Sequence, residues 1–391
     1  MDLRFTDEDE AFRREVRGYL EDALSGEFDE VRGVGGPGDE HRGFEGRLAW
    51  ERRLGADGWT CIAWPKEHGG REATVVQQAI WHEEYAAARA PARVGLFGEG
   101  LLGPTLLAFG TDEQKERFLP PIVRGEELWA QGYSEPDAGS DLANVQTRAD
   151  LDGDEWVIDG QKVWTSLAHW ADWIFVLCRT DRDAPPHKGI SYLLCPLRQD
   201  GVEIRPINQV TGTSEFNEVF FSGARTAADN VVGDVHGGWK VAMGTLTVER
   251  GASTFGQQIA FEAELAEITD LARRTGVADE PVLRQRLARA WEGLRIMRWT
   301  NLRVLTGADV EPGPEVSIGK LYWAQWHRAL GELALDVAGA AGLVTDGPPY
   351  ELTDLQRLFL FSRADTIYAG SNQIQRNITG ERVLGLPREP R

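Results

Sequence analysis

Cysteine is scarce in this sequence, and no apolar run is long enough to cross a bilayer. The three cysteines, Cys61, Cys178 and Cys195, are odd in number and lack the spacing of a metal site or a disulfide framework. A reducing cytoplasm is the simplest compartment for such a chain. The first residues also contain neither the basic run nor the apolar core of a signal peptide. We therefore expect a cytoplasmic protein without a bound metal, a disulfide or a membrane span.

Positive charge is also in short supply. The chain has 62 acidic residues and 42 lysines and arginines, which gives a net charge of −20. Such a chain repels polyanions, so we expect neither nucleic acid nor an anionic membrane surface as a partner. An anionic substrate would need a local cluster of basic side chains.

What is present is the composition of a folded globular protein: 391 residues, of which 42% are hydrophobic and 27% charged. That length allows two or three domains. The residue pattern changes near positions 127 and 236. We predict an N-terminal helical domain at 1–127, a central β domain at 128–236 and a C-terminal helical domain at 237–391.

The first and last zones have the periodicity of helices. Thr6 with Asp9 matches a capping box ahead of the first helix. In the last zone, apolar residues recur at helical spacing, and the chain breaks between two such segments, which predicts a four-helix bundle. One of these stripes comprises Leu283, Leu287, Ala290, Trp291 and Leu294.

Short alternating or apolar runs fill the central zone. Trp156–Ile158 and Lys162–Thr165 flank Asp159–Gly160, a pair that favours a hairpin turn. We expect a small antiparallel sheet or barrel and an overall α+β fold. The lack of alternating βαβ units argues against a Rossmann-type fold. Further strands are predicted at Asp172–Arg179, Gly189–Leu197, Val202–Ile207 and Glu218–Ser222.

Two segments of the central zone contain residues suited to a planar cofactor. The run Tyr133–Asp141 has small residues that let backbone N–H groups approach a ligand. In Gly160–Ser166, the indole of Trp164 could cover a flavin ring, and an adjacent hydroxyl could bond its edge. The alternatives are an ordinary loop and a core tryptophan, since the chain contains 14 tryptophans.

Taken with Gly110–Lys115, Val248–Arg250 and Gln373–Arg376, these segments resemble the acyl-CoA dehydrogenase family of flavoenzymes over essentially the whole chain. The resemblance implies FAD as the cofactor. Ser134 would bind the pyrimidine edge of the flavin, and Ser166 would bond N5, the hydride acceptor. The predicted FAD site, with the ring against the tryptophan and the phosphates near the glycine and the second serine, comprises Gln131, Tyr133, Ser134, Gly139, Ser140, Trp164, Thr165, Ser166 and Gln373.

The resemblance breaks at the catalytic base. Much of the family removes the proton beside the thioester carbonyl with a Glu in an Ile-Tyr-Glu-Gly run, where this chain has Ala369. A methyl group cannot accept a proton, although the backbone N–H can still donate to the thioester oxygen. Isovaleryl and long-chain members take the base from an earlier helix in a Glu-Arg context, which implies Glu249 here. Arg250 and Tyr368, with Ala369, would bind the substrate. The alternative for Glu249 and Arg250 is a solvated helix surface.

The resemblance also bears on assembly. In homotetrameric relatives the adjacent subunit grips the flavin pyrophosphate through an Arg-x-x-Phe-Gly run and a Gln. Here Arg273–Gly276 lacks the phenylalanine, and Asp336 stands in place of the Gln, where its charge would oppose a phosphate. A homotetramer and an α2β2 heterotetramer with a related chain, the arrangement of actinobacterial steroid side-chain dehydrogenases, both stay open. The expected electron acceptor is an electron-transfer flavoprotein.

The function predicted from these residues is FAD-dependent α,β-dehydrogenation of an acyl-CoA thioester, in the β-oxidation of fatty acids or steroid side chains. The early-helix base favours a branched or bulky acyl group. One alternative is a flavin oxidase or monooxygenase on the same fold, since such relatives also replace the late carboxylate. Another is a non-catalytic subunit of a heteromeric dehydrogenase, which would bind no flavin.

Overall fold

The fold has helices, then strands, then helices, which confirms the α+β class predicted from the sequence. A computed structural model describes residues 5–248, 254–305, 316–345 and 351–388. The helices before the strands are α1 (Asp7–Ala23), α2 (Phe44–Ala56), α3 (Val75–Ala87), α4 (Gly103–Phe109) and α5 (Asp112–Val123). Those after the strands are α6 (Gly238–Val248), α7 (Thr254–Thr275), α8 (Pro281–Leu305), α9 (Val316–Ala338), α10 (Asp354–Phe361) and α11 (Asn372–Ile378).

The chain divides into two compact units, and neither is continuous in sequence. The helical unit combines Met1–Gly26, Thr74–Ala90 and Ala252–Arg391. The sheet unit combines Glu27–Ala73 and Pro91–Gly251. Helices α1 and α3 therefore belong with the C-terminal helices, whereas α2, α4, α5 and α6 belong with the strands. The domain limits 1–127, 128–236 and 237–391 stay predictions.

In the helical unit, α1 begins at the expected capping box. Asp9 N donates to the Thr6 hydroxyl at 3.1 Å, and Thr6 N donates to Asp9 Oδ2 at 2.9 Å. These bonds satisfy N–H groups that a helix end otherwise leaves without partners. Val16 and Leu20, one turn apart, are buried, so the helix turns its apolar face inward.

Four C-terminal helices share one apolar core. On α7 the buried residues recur at intervals of three or four, which places them on a single face. Leu294 of α8 is buried as predicted, but Trp291 was wrongly assigned to the same stripe, since 54% of it is exposed. It lies one turn from the core, and its ring is covered by the guanidinium of Arg295. The core comprises Phe261, Leu265, Ile268, Ala272, Leu294, Met297, Leu330, Leu333, Ala334, Val337, Leu355 and Leu358.

Within the described ranges, seven strands form one sheet. Long strands β3 and β7 pair antiparallel, whereas β4 pairs parallel with β1 and antiparallel with β5. Phe175 and Leu177 of β4 pack in one apolar cluster with α4, α5 and α6, while Ile174 and Val176 pack in another. Because successive side chains of a strand point to opposite faces, both faces of β4 are buried. The strands are β1 (Trp129–Gly132), β2 (Arg148–Asp152), β3 (Glu155–Ser166), β4 (Trp173–Arg179), β5 (Ile190–Pro196), β6 (Val202–Pro206) and β7 (Phe216–Ala227).

The hairpin expected at Asp159–Gly160 is wrong. Those residues lie inside β3, which runs unbroken for 12 residues and pairs with β7 on both sides of them. The pairing shifts register there, and Asp159 Oδ1 accepts a hydrogen bond from Gly223 N at 2.9 Å. The turn between β2 and β3 instead contains Gly153, whose φ is +67°. A local Asp-Gly pair marks a bulge here rather than a turn.

The cysteines contribute to the core of the sheet unit. All three are free thiols and are buried. Burial raises the pKa of Cys178 to about 12, so this thiol is not ionised near neutral pH.

None of the described helices combines the length and apolar character that a bilayer-spanning segment needs.

Two glycine substitutions should have opposite effects on stability. Gly18 lies inside α1 with nothing within 4 Å of an added Cβ, so Gly18→Ala should stabilise by about 0.5–1 kcal/mol through helix propensity. At Gly103 an added Cβ would overlap the ring of buried Trp64, so Gly103→Ala should destabilise by about 1–3 kcal/mol. Urea unfolding of both variants measures the two effects, and equal effects would contradict this packing.

Candidate active site

The loop Tyr133–Asp141 follows β1 and is anchored by its first residue. The ring of Tyr133 is buried and meets Phe175 edge-on at 6.0 Å and Tyr192 edge-on at 6.3 Å. Ser134 is half-buried, while Gly139 and Ser140 are exposed. The position of a Cβ on Gly139 is open space. The loop thus has a fixed start and an accessible segment of small residues.

A buried ion pair ties this loop to strand β3. Lys162 is fully buried, and its Nζ donates to Glu135 Oε1 at 2.7 Å and to the carbonyl of Tyr133 at 3.2 Å. The backbone N–H of Gln146 donates to Oε2 of the same carboxylate, and the backbone N–H of Thr147 donates to Oε1. Burial alone would raise the pKa of Glu135, but the ammonium and the two N–H donors lower it. Glu135 is therefore held as a carboxylate.

Directly after Lys162, the backbone of β3 leaves its pairing with β7 and returns to it at Thr165. The register shifts between Lys162 and Thr165, and Val163 N instead donates to Ser134 O at 2.9 Å. Trp164 adopts a left-handed conformation with φ +60°, which a bulky residue seldom takes, and 58% of it is exposed. Phe216 meets its ring edge-on at 6.1 Å. The bulge therefore brings the two predicted flavin segments together and leaves the indole accessible.

Unpartnered polar atoms lie in the same strands. Within the part of the chain that the structure describes, Thr165 Oγ1 and Gln131 Nε2 are buried and have no hydrogen-bond partner. Each such atom costs about 1–3 kcal/mol of desolvation, so an outside partner is expected. Ser166, next in the strand, is half-buried. An accessible indole, small loop residues and unpaired polar atoms fit a planar ligand with polar edges, such as a flavin.

In the helical unit, a tight turn contains Tyr368 and Ala369. Tyr368 donates its hydroxyl to Asp365 Oδ1 at 2.5 Å. Ala369 has φ +50°, a left-handed conformation that is costly for a residue with a Cβ. Gln375 Nε2 donates to the carbonyls of Ala369 and Gly370 at 3.1 and 3.2 Å. Among the described residues, the N–H of Ala369 has no acceptor. A free donor is thus presented by a constrained turn.

Other predicted residues are distributed differently. Glu249 and Arg250 lie outside the described residues. Gln373 is exposed at the start of α11. Asp336 pairs with Arg286 at 2.5 Å, and Arg273 pairs with Asp270 at 3.0 Å, all on the surface of the helical unit. Arg273, which matches the arginine of the homotetrameric run, and Asp336, which replaces its glutamine, therefore each have a partner of opposite charge within this chain.

Three family models match the chain in succession. The acyl-CoA dehydrogenase N-terminal domain matches residues 6–126, the middle domain 130–224 and the C-terminal domain 236–384. The chain belongs to the acyl-CoA dehydrogenase family. That family consists of flavoproteins that generally bind FAD. This chain is an acyl-CoA dehydrogenase.

Individual relatives of this acyl-CoA dehydrogenase cover its full length. Acyl-CoA dehydrogenase IpdE1 of Mycobacterium tuberculosis is 60% identical over 380 residues, 97% of this chain and 98% of the relative. A structure described as the Tcur3481-Tcur3483 steroid ACAD is 34% identical, with a TM-score of 0.86 and full coverage of both chains. A chain in the crystal structure of the ChsE4-ChsE5 complex from Mycobacterium tuberculosis is 30% identical, with a TM-score of 0.84, and the match covers 100% of both chains.

The residues that hold the candidate segments of this dehydrogenase in place were not predicted from the sequence. Glu135 and Lys162 were both inside the quoted motifs, yet only their neighbours were assigned roles. A lysine within an apolar strand pattern is a signal that could have been used, because a buried ammonium needs an anion. Asp365 and Gln375, which hold the Tyr368–Gly370 turn, gave no comparable local signal.

Replacing Lys162 by Met should destabilise the enzyme strongly. Glu135 would stay buried without its cation, a loss of about 3–5 kcal/mol. Its lowered pKa means that its contribution to stability is present above about pH 4.3 and is lost as the pH falls. Lys162→Met removes the cation that lowers this pKa, so the stability difference between the unaltered enzyme and the variant should narrow as the pH falls below about 4.3. Lys115→Met, which removes an exposed pair with Asp112 at 3.3 Å, is the control and should cost at most about 1 kcal/mol. Equal losses in the two variants would contradict the anchoring role of Lys162.

Proposed function

We propose that this acyl-CoA dehydrogenase binds FAD and removes one hydrogen from each of the α and β carbons of a CoA thioester, with Glu249 as the base. The observation that carries the mechanism is the Ala369 turn, where the backbone N–H has no acceptor among the described residues and the side chain has no carboxylate. The chain must hold the cofactor, bind the thioester oxygen and accept a proton. Each task falls to separate residues.

The sheet unit supplies the residues that would hold FAD. When bound, FAD supplies the acceptor for the hydride that leaves the β carbon. Trp164 offers its exposed indole to the ring, and Ser166 and Ser134 offer hydroxyls to its polar edge. Gly139 and Ser140 lie in the accessible part of the loop, where backbone N–H groups can meet phosphates. The unpaired atoms of Thr165 and Gln131 supply further hydrogen bonds.

The helical unit supplies the donor for the thioester carbonyl. Negative charge develops on that oxygen as the α proton leaves, and a fixed N–H donor lowers the barrier without reorganising. The N–H of Ala369 suits this role because Gln375 holds the carbonyls of the same turn. Tyr368, tied to Asp365, lines the same turn and is assigned to substrate binding.

Glu249 is proposed as the base because the usual position carries only a methyl group. Its Glu-Arg sequence follows α6 directly, the context in which other family members place the base. Arg250 would bind the pantetheine arm or the thioester.

Substitution of Glu249 by Gln tests the base. The amide cannot accept the proton, so flavin bleaching by a panel of CoA thioesters should slow by roughly 100-fold or more while FAD content is unchanged. The matched control is Glu262→Gln, which removes an exposed carboxylate paired with Arg295 at 3.2 Å and should bleach normally. Bleaching of the Glu249→Gln holoenzyme at the rate of the unaltered enzyme would eliminate Glu249 as the base.

The substrate and assembly are proposed from the relatives and from two substitutions. One similar structure is described as a steroid ACAD of two chains, Tcur3481 and Tcur3483. Another is a complex of ChsE4 with ChsE5. We therefore favour a bulky, steroid-derived acyl group and an α2β2 tetramer with a related chain. Asp336 pairs with Arg286, and Arg273 pairs with Asp270, so we propose that a partner chain provides the pyrophosphate grip. The electron acceptor is proposed to be an electron-transfer flavoprotein, and a cytoplasmic location stays a prediction.

Expression of this chain alone tests the heteromer. Without a partner's grip, the purified chain should contain well under one FAD per subunit, and coexpression with a related dehydrogenase chain should raise both FAD content and assembly size. Absorbance of released FAD and light scattering measure the two quantities. Full FAD occupancy in a tetramer of this chain alone would establish the homotetramer instead.

A further inference from the structure

A buried histidine bridges two carboxylates in the helical unit. His327 of α9 is 8% exposed, with Phe261 of α7 stacked on its ring at 4.2 Å. Its Nδ1 lies 2.6 Å from Asp365 Oδ2, and its Nε2 lies 2.9 Å from Glu264 Oε2. Both ring nitrogens therefore face an anionic oxygen.

Only the protonated ring satisfies both contacts. A neutral imidazole has one N–H, so one of its nitrogens would point a lone pair at a carboxylate. An imidazolium donates from both nitrogens. Burial would lower the pKa of His327, but the hydrogen bonds and charges of Asp365 and Glu264 outweigh it and raise the pKa to about 9. The ring is a cation at neutral pH.

The surrounding charges are consistent with this state. From α7, Glu264 faces the ring. Glu267, three residues further along α7, has its pKa raised by burial and by the charges of Asp354 and Glu264. From α9 itself, Lys320 is buried and donates to the backbone carbonyl of Asp365. Two cations thus hold the segment containing Asp365.

Asp365 connects this cluster to the Ala369 turn. It is 1% exposed in the 3₁₀ turn Ala364–Thr366, and its second oxygen accepts the Tyr368 hydroxyl at 2.5 Å. The chain of contacts runs from His327 through Asp365 to Tyr368, next to the strained Ala369. A carboxylate fixed at both oxygens keeps the turn in one conformation.

We propose that the imidazolium of His327, by bridging Glu264 and Asp365, is the positioning group that holds the Tyr368–Gly370 turn. The effect of this bridge on catalysis rests on the proposed function, in which the N–H of Ala369 donates to the thioester oxygen. In this clamp, formed by His327 with Glu264 and Asp365, the folded ring stays protonated until the pH approaches about 9. Its contribution to stability is complete below about pH 6.5, the pKa of an unfolded histidine, and is lost as the pH rises through about 9. No group on the substrate is needed for the clamp to form.

Hydrogen exchange of the full-length protein tests the clamp without substrate. In His327→Gln, peptides covering residues 364–371 should exchange roughly tenfold faster at pH 7, after correction for intrinsic rates. The unaltered protein should show the same loosening only as the pH rises through 9, and the variant should show no such step. Phe261→Leu is the control: it removes the stacked ring but no charge, so it should keep the step.

The outcomes separate the clamp from the proposed function. Faster exchange of the turn in His327→Gln, together with a lower kcat and an unchanged KM for CoA thioesters, would support both. Unchanged exchange of the turn, or a pH step that persists in His327→Gln, would overturn the clamp whatever the activity. Faster exchange with an unchanged kcat would leave the clamp in place and overturn the role assigned to Ala369 N–H.

Discussion

One buried ammonium group holds together the two segments of the candidate flavin surface. Lys162 lies fully inside the sheet unit, where Glu135 and the carbonyl of Tyr133 are its partners. A buried charge without a partner is costly, so the loop after β1 and strand β3 cannot separate freely. The bulge that exposes Trp164 begins at the next residue, Val163, whose N–H donates to the carbonyl of Ser134. The geometry of the surface depends on that one pair.

Buried cations recur where the protein needs a fixed backbone. Arg93 pairs with Glu51 and Glu99 in the sheet unit, and His327 lies between two carboxylates in the helical unit. The chain has 62 acidic residues against 42 lysines and arginines, and several of these cations pair in the interior. Such pairs fix geometry because breaking either partner leaves a desolvated charge.

Patterns that depend on neighbours in sequence were predictable. The capping box at Thr6, the order of helices and strands, and most strand positions followed from spacing of three, four or two residues. The hairpin predicted at Asp159–Gly160 was wrong because a local turn signal contains no information about β7, which pairs with β3 on both sides of those residues. The burial predicted for Trp291 was wrong because helical spacing shows which residues share a face, but not how far the packing extends across that face.

The candidate site divides in the same way. The sequence by itself determined the family, the small-residue loop, the tryptophan and the missing carboxylate at Ala369, since each is a short motif read along the chain. Only the tertiary structure decided that Lys162 is buried against Glu135, that α1 and α3 belong with the C-terminal helices, and that His327 meets Glu264 and Asp365. Those last contacts join residues 63 and 38 positions apart. Which distant charges meet is set by the packing of whole helices and strands, and no local pattern encodes it.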